Sequence, residues 1–272
     1  MSLGTFSLVK NESRWIAAHI LRVLLYVDEM VLFDGDSTDG TIEIIEAIQK
    51  EHTQGYKIKL YKHRDPKDLA EDYVRMSDEC MKSLSTDLAW FLHPDMFVLN
   101  PDQILKARQS KAVALSCRMR SFAGEPDGEL MEIVGRADAW KNIYRLKNPD
   151  LGAHYFGKYG EVVEDVYFRE ITGDTHERFL KIDQYPYAVE DSGIEVLHFS
   201  DVRPHARRLD RMVKCFLNQG GTLKEATEQA ARHPRVTLKD GGDFTFVPAQ
   251  YPPAMVAMNA SYSHHRKEIA LV

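Results

Sequence analysis

Short apolar runs that each stop at a polar or charged cluster, with amphipathic helical stretches between them, constrain this chain more than any other feature. Residues 5–9 read as a strand, and Asn11, Glu12 and Ser13 offer capping side chains before Trp15, Ile16, Ile20, Val23 and Leu24 recur at helical spacing. Residues 30–33 form a second apolar run, stopped by Asp34, Gly35 and Asp36, and residues 37–40 lead into a helix with Ile42, Ile45 and Ile48 inward. Residues 57–61 predict a third strand, residues 68–84 a third helix through Leu69, Tyr73, Met76 and Cys80, and residues 88–92 a fourth strand. Strands buried on both faces and joined by helical crossovers imply a parallel sheet, whose ligand crevice lies beyond the carboxyl ends of the strands. Functional side chains are therefore expected at residues 9–12, 34–37, 62–65 and 93–95.

Past Pro101 a short helix and a strand over residues 112–117 continue the sheet. From Met119 to Ile194 the alternation fades, and the segment reads as irregular strands and loops. Two helices split at Gly220-Gly221 are predicted between Pro204 and His233, and the tail carrying Pro248, Pro252 and Pro253 is expected to be extended. At 272 residues the chain is one large domain or a domain with an appendage.

Composition narrows the function classes. With 44% hydrophobic and 28% charged residues the chain is globular, and a formal net charge of -6 gives no global positive field for nucleic acid or anionic lipid. The three cysteines, Cys80, Cys117 and Cys215, lie too far apart for a metal knuckle and are odd in number, which speaks for a reducing compartment. With neither a signal-peptide pattern nor a run of ~18 apolar residues, the expectation is a cytoplasmic protein without a membrane span. Its oligomeric state is left open.

The segment Asp34-Gly35-Asp36-Ser37-Thr38-Asp39-Gly40-Thr41 carries the most information. An acidic residue at a strand end accepts hydrogen bonds from a base N–H or a ribose hydroxyl, while Ser and Thr cap the following helix. Together with Val9-Lys10-Asn11-Glu12, this segment resembles the family 2 glycosyltransferases of the GT-A fold, whose N-terminal strands end in Val-Lys-Asn-Glu and Asp-x-x-Ser-x-Asp-Gly-Thr motifs. The resemblance covers residues 5–105 well and the rest loosely. It implies an α/β GT-A fold with a mostly parallel central sheet flanked by helices and a C-terminal helical extension. The implied catalytic domain spans residues 1–200, with a nucleotide-binding half over 1–105 and an acceptor half over 106–200. Residues 201–272 would pack on the same domain.

By that resemblance Val9, Lys10, Asn11, Glu12, Asp34 and Asp36 hold the nucleotide of a nucleotide-sugar donor, with Arg75 or Asp78 nearby. The family's Asp-x-Asp metal motif is represented here by His93-Pro94-Asp95, which leaves Asp95 as the one carboxylate for a divalent metal. His93 is a softer nitrogen donor that, as a ligand, would move preference from Mg2+ toward Mn2+ or another transition metal, its alternative role being a contact to ribose; His198 is a second candidate ligand. Arg203, His205 and Arg207 add cations for a diphosphate. An inverting transfer needs a carboxylate to take the proton of the acceptor hydroxyl. Asp165 is favoured for this, then Glu161; Glu164 beside Asp165, and the pair Glu190 and Asp191, are further candidates. The acceptor could be a saccharide, a lipid-linked or a protein hydroxyl.

Two rival readings stand beside this one. Residues 31–38 also fit the nucleophile motif of haloacid-dehalogenase-like phosphatases, with Asp34 attacking phosphorus and Asp36 as acid/base. The reduced metal motif also fits a non-catalytic nucleotide-sugar-binding protein.

Overall fold

A computed structural model describes residues 1–62, 76, 79–110, 114–134, 139–145, 168–169, 177–178, 189–217, 222–241 and 244–267. Strand β1 (Leu3–Val9) is buried almost throughout, which its apolar run requires of a strand covered on both faces. Helix α1 (Ile16–Val23) returns the chain to β2 (Glu29–Asp34), which lies parallel to β1 with Val9 opposite Asp34. Helix α2 (Thr41–Glu51) leads to β3 (Ile58–Tyr61), parallel to β2. On the other side of β1 lies β4 (Leu88–Phe91), parallel again, with Phe6 opposite Phe91. The expected parallel nucleotide-side sheet flanked by helices is therefore present, and its carboxyl ends carry the predicted polar clusters.

Alternation along each strand sorts the core into two layers. Leu3 and Val9 of β1, with Met30 and Leu32 of β2, pack with Ile16, Ile20, Ile44 and Ile48 of the helices. Phe6, Val31 and Phe33 point the other way and pack with Cys80, Met81 and Phe91. On α2 it is Ile44, Ile45 and Ile48 that are fully buried, while the expected inward Ile42 is half-buried. Each fully buried aliphatic side chain contributes ~1.5–3 kcal/mol by leaving water.

The sheet then changes character. After β5 (Met96–Val98) and α3 (Gln103–Ala107), the chain forms β6 (Ala114–Gly124), β7 (Leu130–Val134) and β8 (Ala139–Arg145). Strand β8 pairs antiparallel with both β4 and β6, and β6 pairs antiparallel with β7. A separate antiparallel pair joins β9 (Phe168–Arg169) to β10 (Glu177–Arg178). Strand β11 (Val189–Val202) runs parallel to β6 and antiparallel to β5. Within the segment after Met119, expected to be irregular strands and loops, the described residues form the rest of β6, β7, β8, the short pair β9 and β10 and the start of β11; β6 and β7 pair as a local hairpin, whereas β8 and β11 find their partners across the sheet, which sequence alternation alone does not reveal.

Helices α4 (His205–Leu217) and α5 (Leu223–Arg232) match the two predicted helices, and α5 starts at a capping box between Thr222 and Glu225. The predicted split at Gly220-Gly221 lies outside the described residues. A short helix α6 (Pro234–Thr237) follows, and β12 (Thr245–Ala249) closes the sheet edge against β7, an edge position that tolerates Pro248. The expected extended tail is corrected here, because Pro253 opens helix α7 (Pro253–Ser261), where a missing N–H costs nothing.

Candidate functional site

The tips of β1 and β2 are stitched to each other by side chains that accept main-chain N–H groups. The Asn11 N–H donates to Ser37 Oγ (2.9 Å), the Glu12 N–H to Thr41 Oγ1 (2.8 Å) and the Ser13 N–H to Asp39 Oδ2 (2.9 Å), while Asn11 Oδ1 accepts from the Thr38 N–H (2.8 Å). Asn11 and Asp36 both have left-handed backbone (φ 55 and 58), a conformation these short polar residues tolerate. The expectation that Asn11, Glu12 and Ser13 cap α1 through their side chains is corrected. The Glu12 carbonyl accepts from Trp15 and Ile16, and Asn259 of α7 accepts the Ala18 N–H at 3.0 Å. Likewise α2 begins at Gly40 rather than under a Ser37 or Thr38 cap; Asp39 Oδ1 takes the Thr41 N–H at 3.1 Å.

Asp34 sits in the floor of this double loop with no exposed surface. Its Oδ2 accepts the Ser37 N–H at 3.0 Å, and its Oδ1 is buried without a hydrogen-bond partner. A buried acceptor left unmatched is costly, so the site is chemically prepared for an N–H or O–H donor. Asp36 and Lys10 are exposed, and Val9 is buried beside Asp34.

A second group forms at the tip of β4. His93 packs against Phe91 (ring centroids 4.4 Å apart) and lies near-parallel to His198 (6.0 Å, 15°). Asp95 is buried, and its Oδ1 lies 3.4 Å from His198 Nε2. They meet because β5 and β11 pair antiparallel with Met96 opposite His198, and the Phe199 N–H donates to the Asp95 carbonyl at 2.9 Å. Between His198 and Asp201 the register with β6 slips by one residue, a bulge of the kind that re-aims side chains beside sites. Burial pushes the Asp95 carboxyl up, but the charges of His198, His93 and Arg203, with a hydrogen bond from His198, outweigh it and hold Asp95 far below the usual carboxylate range.

Arg203 joins the two groups. Its Nη2 lies 3.8 Å from Glu12 Oε1 at the β1 tip and 3.7 Å from Asp95 Oδ2. The residues expected at the ends of β1, β2 and β4 therefore share one region, with β11 completing it. Sequence reasoning did not single out Asp39, Thr41 or the Arg203 bridge as its organisers. Thr41 and Asp39 stood within the quoted motif, whereas the Arg203 contacts cross more than 100 residues and leave no local signal. Beneath the site His19 of α1 is buried between Met96 O (Nδ1, 3.3 Å) and Ser7 Oγ (Nε2, 3.3 Å). His205 and Arg207 are exposed at the start of α4.

Other expected residues fall elsewhere. Arg75, Asp78, Glu161, Glu164 and Asp165 lie outside the described residues, as do residues 63–65 of the third strand tip. Asp191 lies seven residues before His198 on β11, beyond a bulge between Asp191 and Glu195, where its Oδ1 accepts the Gly193 N–H at 2.9 Å.

Two protein donors suit a divalent cation. Oxygen and nitrogen ligands each bond such a cation at ~2.1 Å, and the 3.4 Å between Asp95 Oδ1 and His198 Nε2 is a span one ion can bridge. Among the described residues there is no cluster of three or more His, Cys, Asp or Glu arranged around an ion, so further ligands would come from the substrate and water.

No family model and no curated protein matches the chain. Among solved structures it is similar to mannosyltransferase PcManGT from Pyrobaculum calidifontis in complex with GDP-Man and Mn2+, with 15% identity over 96% of this chain and 75% of that one (TM-score 0.46). It is also similar to S. aureus TarS 1-349, with 13% identity over 85% and 72% of the two chains (TM-score 0.45). The complex of that protein with UDP gives 14% identity, 89% and 76% coverage and a TM-score of 0.42.

Proposed function

We propose that this chain is a GT-A glycosyltransferase that moves a sugar from a nucleotide-sugar donor to a hydroxyl acceptor, with inversion and with a divalent metal. The observation that carries the reading is the Arg203 bridge, which stands between Glu12 of the nucleotide-side loop and Asp95 of the β4–β5 turn and so brings the two strand tips into one charged group. In this reading the free Asp34 oxygen accepts an N–H of the base, and Val9, Lys10, Asn11, Glu12 and Asp36 line the base and ribose. His93 faces the ribose, and Arg203 meets the diphosphate. Asp95 and His198 would hold the metal, Mn2+ being better suited than Mg2+ to the nitrogen ligand. When bound there, such an ion neutralises diphosphate charge and eases departure of the nucleoside diphosphate.

The acceptor oxygen attacks the anomeric carbon as the bond to the diphosphate oxygen breaks with its electron pair, and a carboxylate takes the hydroxyl proton. Asp165 is proposed for that carboxylate, with Glu161 as the alternative. Turnover of UDP-, GDP-, CMP- and dTDP-sugars with Mn2+, and its loss in EDTA, tests the reading. Asp165→Asn should bind donor normally and lose ~10²–10⁴-fold in turnover. Phosphate release from p-nitrophenyl phosphate that disappears in Asp34→Asn would instead favour the phosphatase reading, and nucleotide binding without turnover would leave a binding module.

A further inference from the structure

Arg203 differs from Arg120 and Arg208, and shares its long spacing with Arg118, whose Nη1 stands 3.8 Å from Glu195 Oε1, but among the described residues Arg203 alone of these four stands between two carboxylates. Arg120 grips Glu132 through two close bonds (2.7 and 2.6 Å), and Arg208 is buried with Nη1 on the Gly124 carbonyl (2.6 Å) and Nη2 on Glu125 (2.9 Å). Arg203 touches neither of its carboxylates at hydrogen-bond distance, standing 3.8 and 3.7 Å from Glu12 and Asp95. Its base is nonetheless fixed, since its main-chain N–H donates to Gly124 O (3.1 Å) and its Nε to Ser200 O (2.8 Å). The Arg203 side chain is 39% exposed, while the Glu12 and Asp95 side chains are 14% and 8% exposed. Two largely buried carboxylates that converge on one guanidinium repel each other less because that cation stands between them.

We propose that Arg203 is a positioning residue that serves as a resident counter-cation and hands over its place on ligand binding. Without ligand it neutralises Glu12 and Asp95 together. When a divalent cation takes Asp95, the guanidinium loses that partner, is repelled by the incoming charge, and turns to the diphosphate anion. Metal and diphosphate thus compete with and complement the same side chain, so each improves the site for the other. The proposal rests on the reading of Asp95 and His198 as a cation site.

Arg203→Gln keeps the stem and removes the charge. Titration of Mn2+ alone, followed by electron paramagnetic resonance of the free ion, should show tighter binding in Arg203→Gln by ~3–10-fold. Calorimetry with inorganic pyrophosphate in EDTA should show weaker binding in the same variant by a similar factor. Glu12→Gln, which leaves Arg203 wholly to Asp95, should weaken Mn2+ alone and so provides a second variant of opposite sign. Mn2+ affinity that is unchanged or weaker in Arg203→Gln, or equal pyrophosphate affinity in the two proteins, overturns the proposal; Mn2+ binding abolished by Asp95→Asn would then show that the cation site survives it. Mn2+ binding absent from the wild type and both variants overturns the cation site itself, and the handover with it.

Discussion

His19 and Asp34 are sealed under the same site, and each is defined by what its polar atoms meet. The Met96 carbonyl 3.3 Å from His19 Nδ1 can only accept, while the Ser7 hydroxyl 3.3 Å from Nε2 gives its single hydrogen to the Leu92 carbonyl (2.5 Å). Burial lowers the His19 pKa from 6.5 to about 4, against weaker opposing effects of the Met96 carbonyl and Asp95. The sign follows from proton counting: between these values the unfolded chain binds the proton that the folded chain refuses, so stability is fully present above 6.5 and falls as pH drops toward 4. The loss over that window is ~3 kcal/mol. Urea unfolding at pH 7 and pH 4.5 should show this decline in the wild type and a flatter one in His19→Leu; equal slopes would assign the pH dependence elsewhere. Asp95, whose pKa is depressed, withdraws its stabilisation only as pH falls below the ordinary value of 3.8.

At the scale of elements, the C-terminal segment acts as a strap across the nucleotide-side loops. Arg266 donates to the Ser13 and Asn259 carbonyls (3.1 and 3.2 Å), the Lys267 N–H donates to Asp39 O (2.8 Å), and Asn259 caps α1. Gly40 makes the fit possible. Its φ of 94 suits glycine, and a Cβ there would collide with the His265 carbonyl. Gly40→Ala should therefore cost ~2–4 kcal/mol, seen as a lower urea midpoint, with faster amide exchange at Ala18 and Lys267; unchanged exchange at both would separate the strap from the loop. The elements β1, α1, β2 and α2 were legible in the sequence because their periodicity is local. The strap was not, since it pairs Ala18 with Asn259, 241 residues away, and because Pro252-Pro253 reads as extended chain although Pro253 in fact starts a helix. The start of β6 was legible in the strand expected over residues 112–117, whereas β8, which pairs with β4 across the sheet, was not.

For the whole molecule, the parallel half of the sheet decides where chemistry can sit, and the polar clusters after β1, β2 and β4 were legible from that rule alone. What the rule did not supply was the meeting of β11 with β5, which brings His198 to Asp95 and lets Arg203 reach Glu12. Among the described residues no helix is long and apolar enough to cross a membrane. The central claim is that Asp34 and Asp95 serve opposite ends of one bound nucleotide sugar. Calorimetric titration of the donor identified by turnover, with Mn2+ present, into wild type, Asp34→Asn and Asp95→Asn tests it most directly. The account predicts one site per chain, with affinity falling ~10-fold or more in each variant, about 1.4 kcal/mol. A donor that binds both variants as tightly as the wild type would contradict it.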